Sequence, residues 1–305
     1  MTSKHSLSHM QIRGTLLVAV SGMLYGVMSY CGTKLFREHF TLQAMLFWRF
    51  FVAMLWIVSS NLVVGKNIFQ HINNDSNLMK TVLLGAITYS VGSASYFLAA
   101  LHIGTGLAMV IFFLFPVFVT LFAWILSDWR MNGYAFCSLL AVIIGLLLLK
   151  GTGSDALDTG GIFFAIIAAL FYAIYIYRSQ HSAKTINSRL LTFLICFGNA
   201  AIFLLLCCYT HTFIFPTTFK AWVYILAIGI VATAVPIQLL LDGLKYISPI
   251  KASILSVLEP VVTVIVGLSL LGETISSFQA VGIVIVLLGA ILIQFEKVSY
   301  QHEGQ

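Results

Sequence analysis

Long apolar blocks separated by short polar or charged stretches occupy nearly the whole 305-residue chain. The blocks cover approximately residues 14–33, 42–64, 81–101, 105–126, 133–149, 161–177, 190–209, 221–241, 250–271 and 277–295. About 20 helical residues, at about 1.5 Å each, cross a hydrocarbon core of about 30 Å. The pattern therefore predicts an all-α integral membrane protein with ten transmembrane helices. None of the blocks shows the alternation of apolar and polar positions that marks a membrane β-strand. Residues 1–13 are polar, and the run that follows lacks an Ala-x-Ala cleavage site, so it is expected to stay as the first span.

Orientation follows from the basic residues. Even-numbered loops and the termini hold Lys4, Arg13, Lys66, Lys80, Arg130, Arg178, Lys184, Arg189, Lys245 and Lys297, against Lys34, Arg37, Lys150 and Lys220 in odd-numbered loops. Cytoplasmic loops are enriched in Lys and Arg, which predicts that both termini are cytoplasmic. Composition agrees: 60% of residues are hydrophobic and 9% charged, against about 25% charged in soluble domains. The mean hydropathy is +1.01. The net charge of +6 sits mostly in short loops, where it orients a membrane protein, and nucleic acid is not an expected partner. Five cysteines, Cys31, Cys137, Cys196, Cys207 and Cys208, form no CxxC pair and read as packing residues.

The second half of the chain restates the first. At a constant offset of 144 residues, Gly85 meets Gly229, Ala108 meets Ala252, Pro116 meets Pro260 and Gly145 meets Gly289. At a nearby offset, Gly14 and Tyr25 fall on Gly161 and Tyr172. Coincident Gly and Pro carry weight because they fix backbone geometry. Each half, 14–149 and 161–295, has five spans, an odd number, so the second copy enters the membrane inverted relative to the first. Inverted-topology repeats that rock about a midplane site are a transporter architecture.

The segment from Gly243-Leu-Lys-Tyr-Ile-Ser through Leu258-Glu-Pro to Leu271-Gly272-Glu273, with Arg49 inside Phe47-Trp-Arg-Phe-Phe, resembles the EamA family of the drug/metabolite transporter superfamily. The resemblance covers both halves. It departs at Phe115-Pro116, where the second copy has Glu259-Pro260, at Asp128-Trp129 opposite Gly272-Glu273, at Tyr25, where many relatives have Trp, and at Asp242. It implies a ten-helix secondary carrier of small metabolites, often an exporter of amino acids, in a bacterial inner membrane.

Ionisable side chains within spans are costly unless paired or hydrated. Arg49, about seven residues into the second span, is a candidate partner for a substrate carboxylate; the alternative is a structural Arg that snorkels outward or bonds helix-end carbonyls. Glu259 lies near the midplane beside the helix-breaking Pro260. It is a candidate proton-coupling site, or else a structural acid bonded to a neighbouring helix. Asp242 and Lys245, three apart, are expected to form a local ion pair. Lys251 is expected to snorkel to the interface, His102 to be a solvated loop residue, and Glu273 to cap the last span.

Aromatic and small residues at helical spacing suggest a cavity wall. Ser21, Tyr25 and Ser29 share one face of the first span, and Gly85, Tyr89, Ser93 and Tyr96 one face of the third; Tyr172 and Tyr175 stand in the sixth. The candidate substrate-binding set is Tyr25, Arg49, Tyr89, Ser93, Tyr96 and Tyr172. Tyr30 and Tyr177, at span ends, read as interfacial belt residues. No nucleotide loop, HExxH or GxSxG element is present, so no enzyme activity, metal or cofactor is expected and transport would draw on a gradient. The expected partners are a small-molecule substrate and the lipid bilayer, with the Gly85–Gly92 face a candidate for homodimer pairing. Uptake or exchange of a solute such as S-adenosylmethionine or a nucleotide sugar is the alternative within transport. A membrane-embedded lipid-handling protein is the alternative outside it.

Overall fold

Backbone N–H and C=O groups find no water in a hydrocarbon layer, so an apolar chain there satisfies them internally as helix. The computed structural model describes residues 2–63, 76–127, 131–149, 158–271 and 276–295, and every regular element among them is helical. In chain order these are α1 (Thr2–Tyr25), α2 (Met28–Arg37), α3 (Leu42–Val63), α4 (Ser76–Phe112), α5 (Phe115–Leu126), α6 (Gly133–Leu149) and α7 (Thr159–Thr185). There follow α8 (Ser188–Thr210), α9 (Phe219–Leu226), a π-helical turn (Ala227–Ala234), α10 (Val235–Gly243), α11 (Pro249–Leu255), α12 (Leu258–Val266) and α13 (Ser277–Leu292). A second π-helical turn, Gly267–Leu271, closes α12.

Eight helical stretches among the described residues are long and apolar enough to cross a membrane. The expected fifth and tenth segments form shorter apolar helices, Gly133–Leu148 and Ser277–Leu292. The 16 residues of α13 extend about 24 Å, less than a hydrocarbon core of about 30 Å. The third loop shrinks to one non-helical residue, Gly104 (φ 75°), within α4. That positive φ carries no Cβ penalty in glycine.

Three spans are interrupted inside the molecule. α4 gives way to α5 at Phe113–Leu114, and α11 to α12 at Ser256–Val257, each just before its proline, Pro116 or Pro260. A proline ring has no N–H to donate to the preceding turn, which is why both helices restart there. α1 breaks at Gly26–Val27. Here a Cβ on Gly26 would lie 2.6 Å from Cβ of Val262, and the Thr263 hydroxyl donates to the Gly26 carbonyl at 3.2 Å. The break in α1 is thus packed against the helix that follows the break at Ser256–Val257.

Packing joins the two halves in exchanged pairs. α1 packs on α10 and α12 of the second half, while α7 packs on α4 and α5 of the first. α3 lies on α8, and α6 on α13. α3 and α8 run antiparallel: the Thr41 hydroxyl donates to the Thr212 carbonyl at one end (2.8 Å), and Arg189 donates to Asn61 at the other (3.0 Å). Large apolar side chains left on the outer surface, such as Leu16, Trp124, Phe163, Val284 and Ile291, face what would be lipid.

Several peripheral residues differ from expectation. Lys251 is 6% exposed, so it does not snorkel. Ser248 caps α11 by accepting from the Lys251 N–H, which turns this first helical turn and its lysine into the interior. His102 is solvated but partnered, its Nδ1 2.7 Å from Asp158 Oδ2. Asp158 caps α7 by accepting from Gly160 N–H, and that bond together with His102 holds its carboxyl below the usual range. Gly92 packs against Tyr172, and Gly85 faces Ile195. Asp242 and Lys245 form their ion pair at 2.7 Å. Asp128, Trp129, Gly272, Glu273 and Lys150 lie outside the described residues.

Candidate functional site

α3 carries Arg49 into the centre of the molecule, where only 1% of its surface is exposed. It neither snorkels outward nor bonds helix-end carbonyls; its guanidinium is held by three hydroxyls. Nε donates to Thr233 Oγ1 at 2.7 Å, Nη2 to Tyr89 Oη at 3.2 Å and Nη1 to Ser93 Oγ at 3.4 Å. Tyr89 and Ser93 stand one turn apart on α4, so their hydroxyls reach the same guanidinium edge. Thr233 comes from the π-helical turn, and its own proton goes to the Ile228 carbonyl five residues back at 2.7 Å. The Phe50 ring lies 4.9 Å from the guanidinium carbon, adding a cation–π contact.

Beside this arginine opens a narrow cavity of about 40 Å³, lined by Tyr25, Met28, Arg49, Tyr89, Gly92, Ser93, Tyr96, Phe97, Phe112, Tyr172 and Glu259. That is room for a few water molecules and well below the about 300–1,000 Å³ of small-molecule pockets, so the walls must part to admit a solute. Its walls come from α1, α2, α3, α4, α7 and α12, and so from both halves. Tyr25 and Tyr89 share a hydroxyl–hydroxyl hydrogen bond of 3.2 Å. Tyr172 packs edge-on against Tyr89 (ring centroids 6.0 Å apart) and Phe115 (4.9 Å). Tyr96 packs against Phe97 and Phe112. The breaks at Gly26–Val27, Phe113–Leu114 and Ser256–Val257 all lie within two residues of a lining side chain.

Glu259 sits in the first turn of α12, immediately after the break. Among the described residues its carboxylate has neither a hydrogen bond nor an ion pair, and it does not pair with Arg49. It is not bonded to a neighbouring helix, as the structural-acid alternative required. The cavity therefore presents one fixed cation, one carboxylate with no hydrogen-bond partner among the described residues, and four tyrosines. An unpaired carboxylate in such surroundings is costly and calls for a proton, a cation or water to complete it.

Every residue of the sequence-derived set borders this cavity. Others expected beside them do not. Ser21 donates instead to the Pro236 carbonyl, tying α1 to α10 (2.7 Å). Tyr175 is buried behind the wall, its ring 4.9 Å from that of Tyr89. Tyr30 and Tyr177, read from the sequence as belt residues and not as cavity lining, pack against Tyr224 and Phe122 respectively, both partly buried. Sequence reasoning missed Met28, Gly92, Phe97, Phe112 and Thr233. Gly92 and Phe112 had a usable signal, one on the Tyr89–Tyr96 face and the other next to the Pro116 break. Thr233, 184 residues from Arg49, had none.

Comparison with known proteins places this architecture. A relative from Archaeoglobus fulgidus, described as an uncharacterized transporter, is 28% identical over 214 residues, covering 70% of this chain and 76% of its own. A relative from Salmonella typhimurium, described as the uncharacterized inner membrane transporter YicL, is 23% identical over 294 residues, covering 93% of this chain and 96% of its own. A crystal structure superposes with a TM-score of 0.78 over 92% of this chain and 95% of its own, at 16% identity, a likeness of fold alone. The model of the EamA-like transporter family matches residues 12–150 and again 159–295. The chain is a multi-pass membrane protein and belongs to the EamA-like transporter family.

Proposed function

We propose that this protein is a secondary carrier that exports amino acids or closely related small solutes and is coupled to protons, working in the inner membrane with both termini cytoplasmic. One observation carries the reading: a cavity built from both halves is lined by Arg49, by Glu259 and by Tyr25, Tyr89, Tyr96 and Tyr172. Arg49 receives the substrate carboxylate, the tyrosines pack its body, and Glu259 takes up and releases the coupling proton. Uptake or exchange of anionic solutes such as nucleotide sugars is less favoured, because Arg49 is the single cation among the lining residues.

In this reading the chain comprises ten spans in two inverted five-span repeats, residues 14–149 and 161–295. The exchanged packing supports it, since α1 on α10 and α12 matches α7 on α4 and α5 under a two-fold operation. So does the antiparallel course of α3 and α8, the second helices of each half. Rocking of the halves about the cavity then exposes it to alternate sides. Purified protein in proteoliposomes, given a panel of labelled amino acids and metabolites with and without a pH gradient, tests the proposal beside a Glu259→Gln variant. Saturable flux that follows the gradient in the native protein and loses that dependence in the variant is the expected result. Flux indifferent to both would remove Glu259 from coupling, and absence of flux for every amino acid would overturn the substrate class.

A further inference from the structure

We propose that Thr233 is a positioning residue that orients Arg49 as a two-pronged receptor for a carboxylate, a receptor assembled only while the π-helical turn Ala227–Ala234 is seated on α3. The inference deepens the reading of Arg49 given above and rests on it for the transport consequence, though not for the binding chemistry.

A guanidinium has five N–H donors and no acceptor, and it meets carboxylates in a planar, bidentate fork. Its usefulness as a fork depends on which edge is left free. Thr233 is wholly buried, and its single hydroxyl proton is committed to the Ile228 carbonyl at 2.7 Å. Only lone pairs remain on the side facing Arg49, so the hydroxyl acts there as an acceptor, and it takes the Nε–H at 2.7 Å. This is the shortest of the three contacts Arg49 makes with hydroxyls, the others being 3.2 and 3.4 Å. With Nε anchored, Nη1 and Nη2 are turned toward Ser93 and Tyr89, both of which line the cavity. Each terminal nitrogen carries two hydrogens and spends at most one on a long bond, so the end-on pair is left for an anion.

The anchor belongs to the other half of the chain. Gly229, in the same π-helical turn, sits so close to α3 that a Cβ there would lie 2.6 Å from Val52 Cγ1 and 3.1 Å from the Arg49 carbonyl oxygen. π-Helical turns inside α-helices occur frequently at functional sites. Here the turn brings a carbonyl within reach of the hydroxyl five residues ahead. Movement of this turn away from α3 would free Nε and let the fork rotate. Carboxylate affinity is then highest in the arrangement of the halves that seats this turn on α3.

The test is made first without transport, on the full-length protein in micelles with 15N-labelled arginine. Arg49 Nε–H should give a slowly exchanging resonance, assigned by its loss in Arg49→Lys. Acetate, but not acetamide, should perturb the resonance in the native protein. Thr233→Val is nearly isosteric and deletes both hydroxyl bonds; it should abolish the slow exchange and weaken acetate binding about tenfold. Thr233→Ser should retain both properties. Flux of amino acids in proteoliposomes should show the same split, with KM for a carboxylate-bearing solute raised in Thr233→Val and the maximal rate little changed. The proposal is overturned if Thr233→Val keeps the protected resonance, or if it loses the resonance while acetate still binds as in the native protein. Acetate binding as expected, together with no amino-acid flux in any variant, would leave Thr233 in its role and reject the amino-acid reading instead.

Discussion

Arg49 shows how a charge is kept inside an apolar bundle. Its three hydroxyl acceptors are neutral, so the guanidinium is hydrogen-bonded without being neutralised. A neutralising carboxylate would have removed its affinity for an anion. Arg49→Lys retains the charge but cannot serve Thr233, Tyr89 and Ser93 at once, because an ammonium is a point donor and not a planar fork. Binding of a carboxylate-bearing substrate should weaken by about ten- to a hundredfold, corresponding to a charge-assisted hydrogen bond of about 1.5–3 kcal/mol; isothermal titration of the purified variant measures it. Tyr25→Phe is milder. It removes one neutral bond to Tyr89 and leaves the Tyr89 hydroxyl as acceptor for Arg49, so a destabilisation of about 1 kcal/mol is expected, read as a small drop in melting temperature.

At the scale of elements, function is concentrated where helices fail to be continuous. α5 and α12 restart beside the cavity because Pro116 and Pro260 interrupt the preceding ladders. Pro260→Ala should let α11 and α12 merge, moving Glu259 off its present position; the maximal flux should fall about tenfold, equal to about 1.4 kcal/mol in a barrier, while the melting temperature holds or rises. At the opposite extreme, the start of α7 is clamped by Asp158, which accepts from Gly160 N–H and pairs with His102. Because the folded state lowers the affinity of this carboxyl for protons, its contribution to stability is present above the ordinary carboxylate range and is lost as pH falls through the lowered value. Asp158→Asn should therefore melt below the native protein at neutral pH, with the difference closing toward pH values where the native carboxyl is protonated; thermal melts across pH give the comparison.

For the whole molecule, the central prediction is of sidedness. The loop carrying His39 and the segment carrying His211 meet through the Thr41–Thr212 bond, while Arg178 lies on α7 toward its carboxyl end. In a background with the exposed Cys137 and Cys208 replaced by serine, single cysteines at His39 and His211 should react with a membrane-impermeant maleimide from outside intact cells. A cysteine at Arg178 should react only after the membrane is opened. Labelling of positions 39 and 211 from opposite faces would contradict the packing of α3 on α8 and overturn the inverted arrangement proposed for the repeats.

Helicity and membrane residence are properties that apolar composition and block length decide alone, because the cost of an unsatisfied backbone group in lipid leaves the chain no alternative. The repeat was equally legible, carried by Pro116 and Pro260 and by the glycines that keep step with them, since those residues constrain the backbone whatever their neighbours are. The tyrosine stripe on α4 and the burial of Arg49 could be anticipated from helical spacing and from the cost of charge in a span. Tertiary structure decided everything that depends on a second element: that Tyr175 stands behind the wall and Tyr172 in it, that Lys251 turns inward, and that the Gly85–Gly92 face meets α7 and α8. It also brought Thr233 to Arg49 across 184 residues of chain. A sequence pattern reports the face on which a side chain lies, but the partner on that face is fixed only when two helices from opposite halves are packed together.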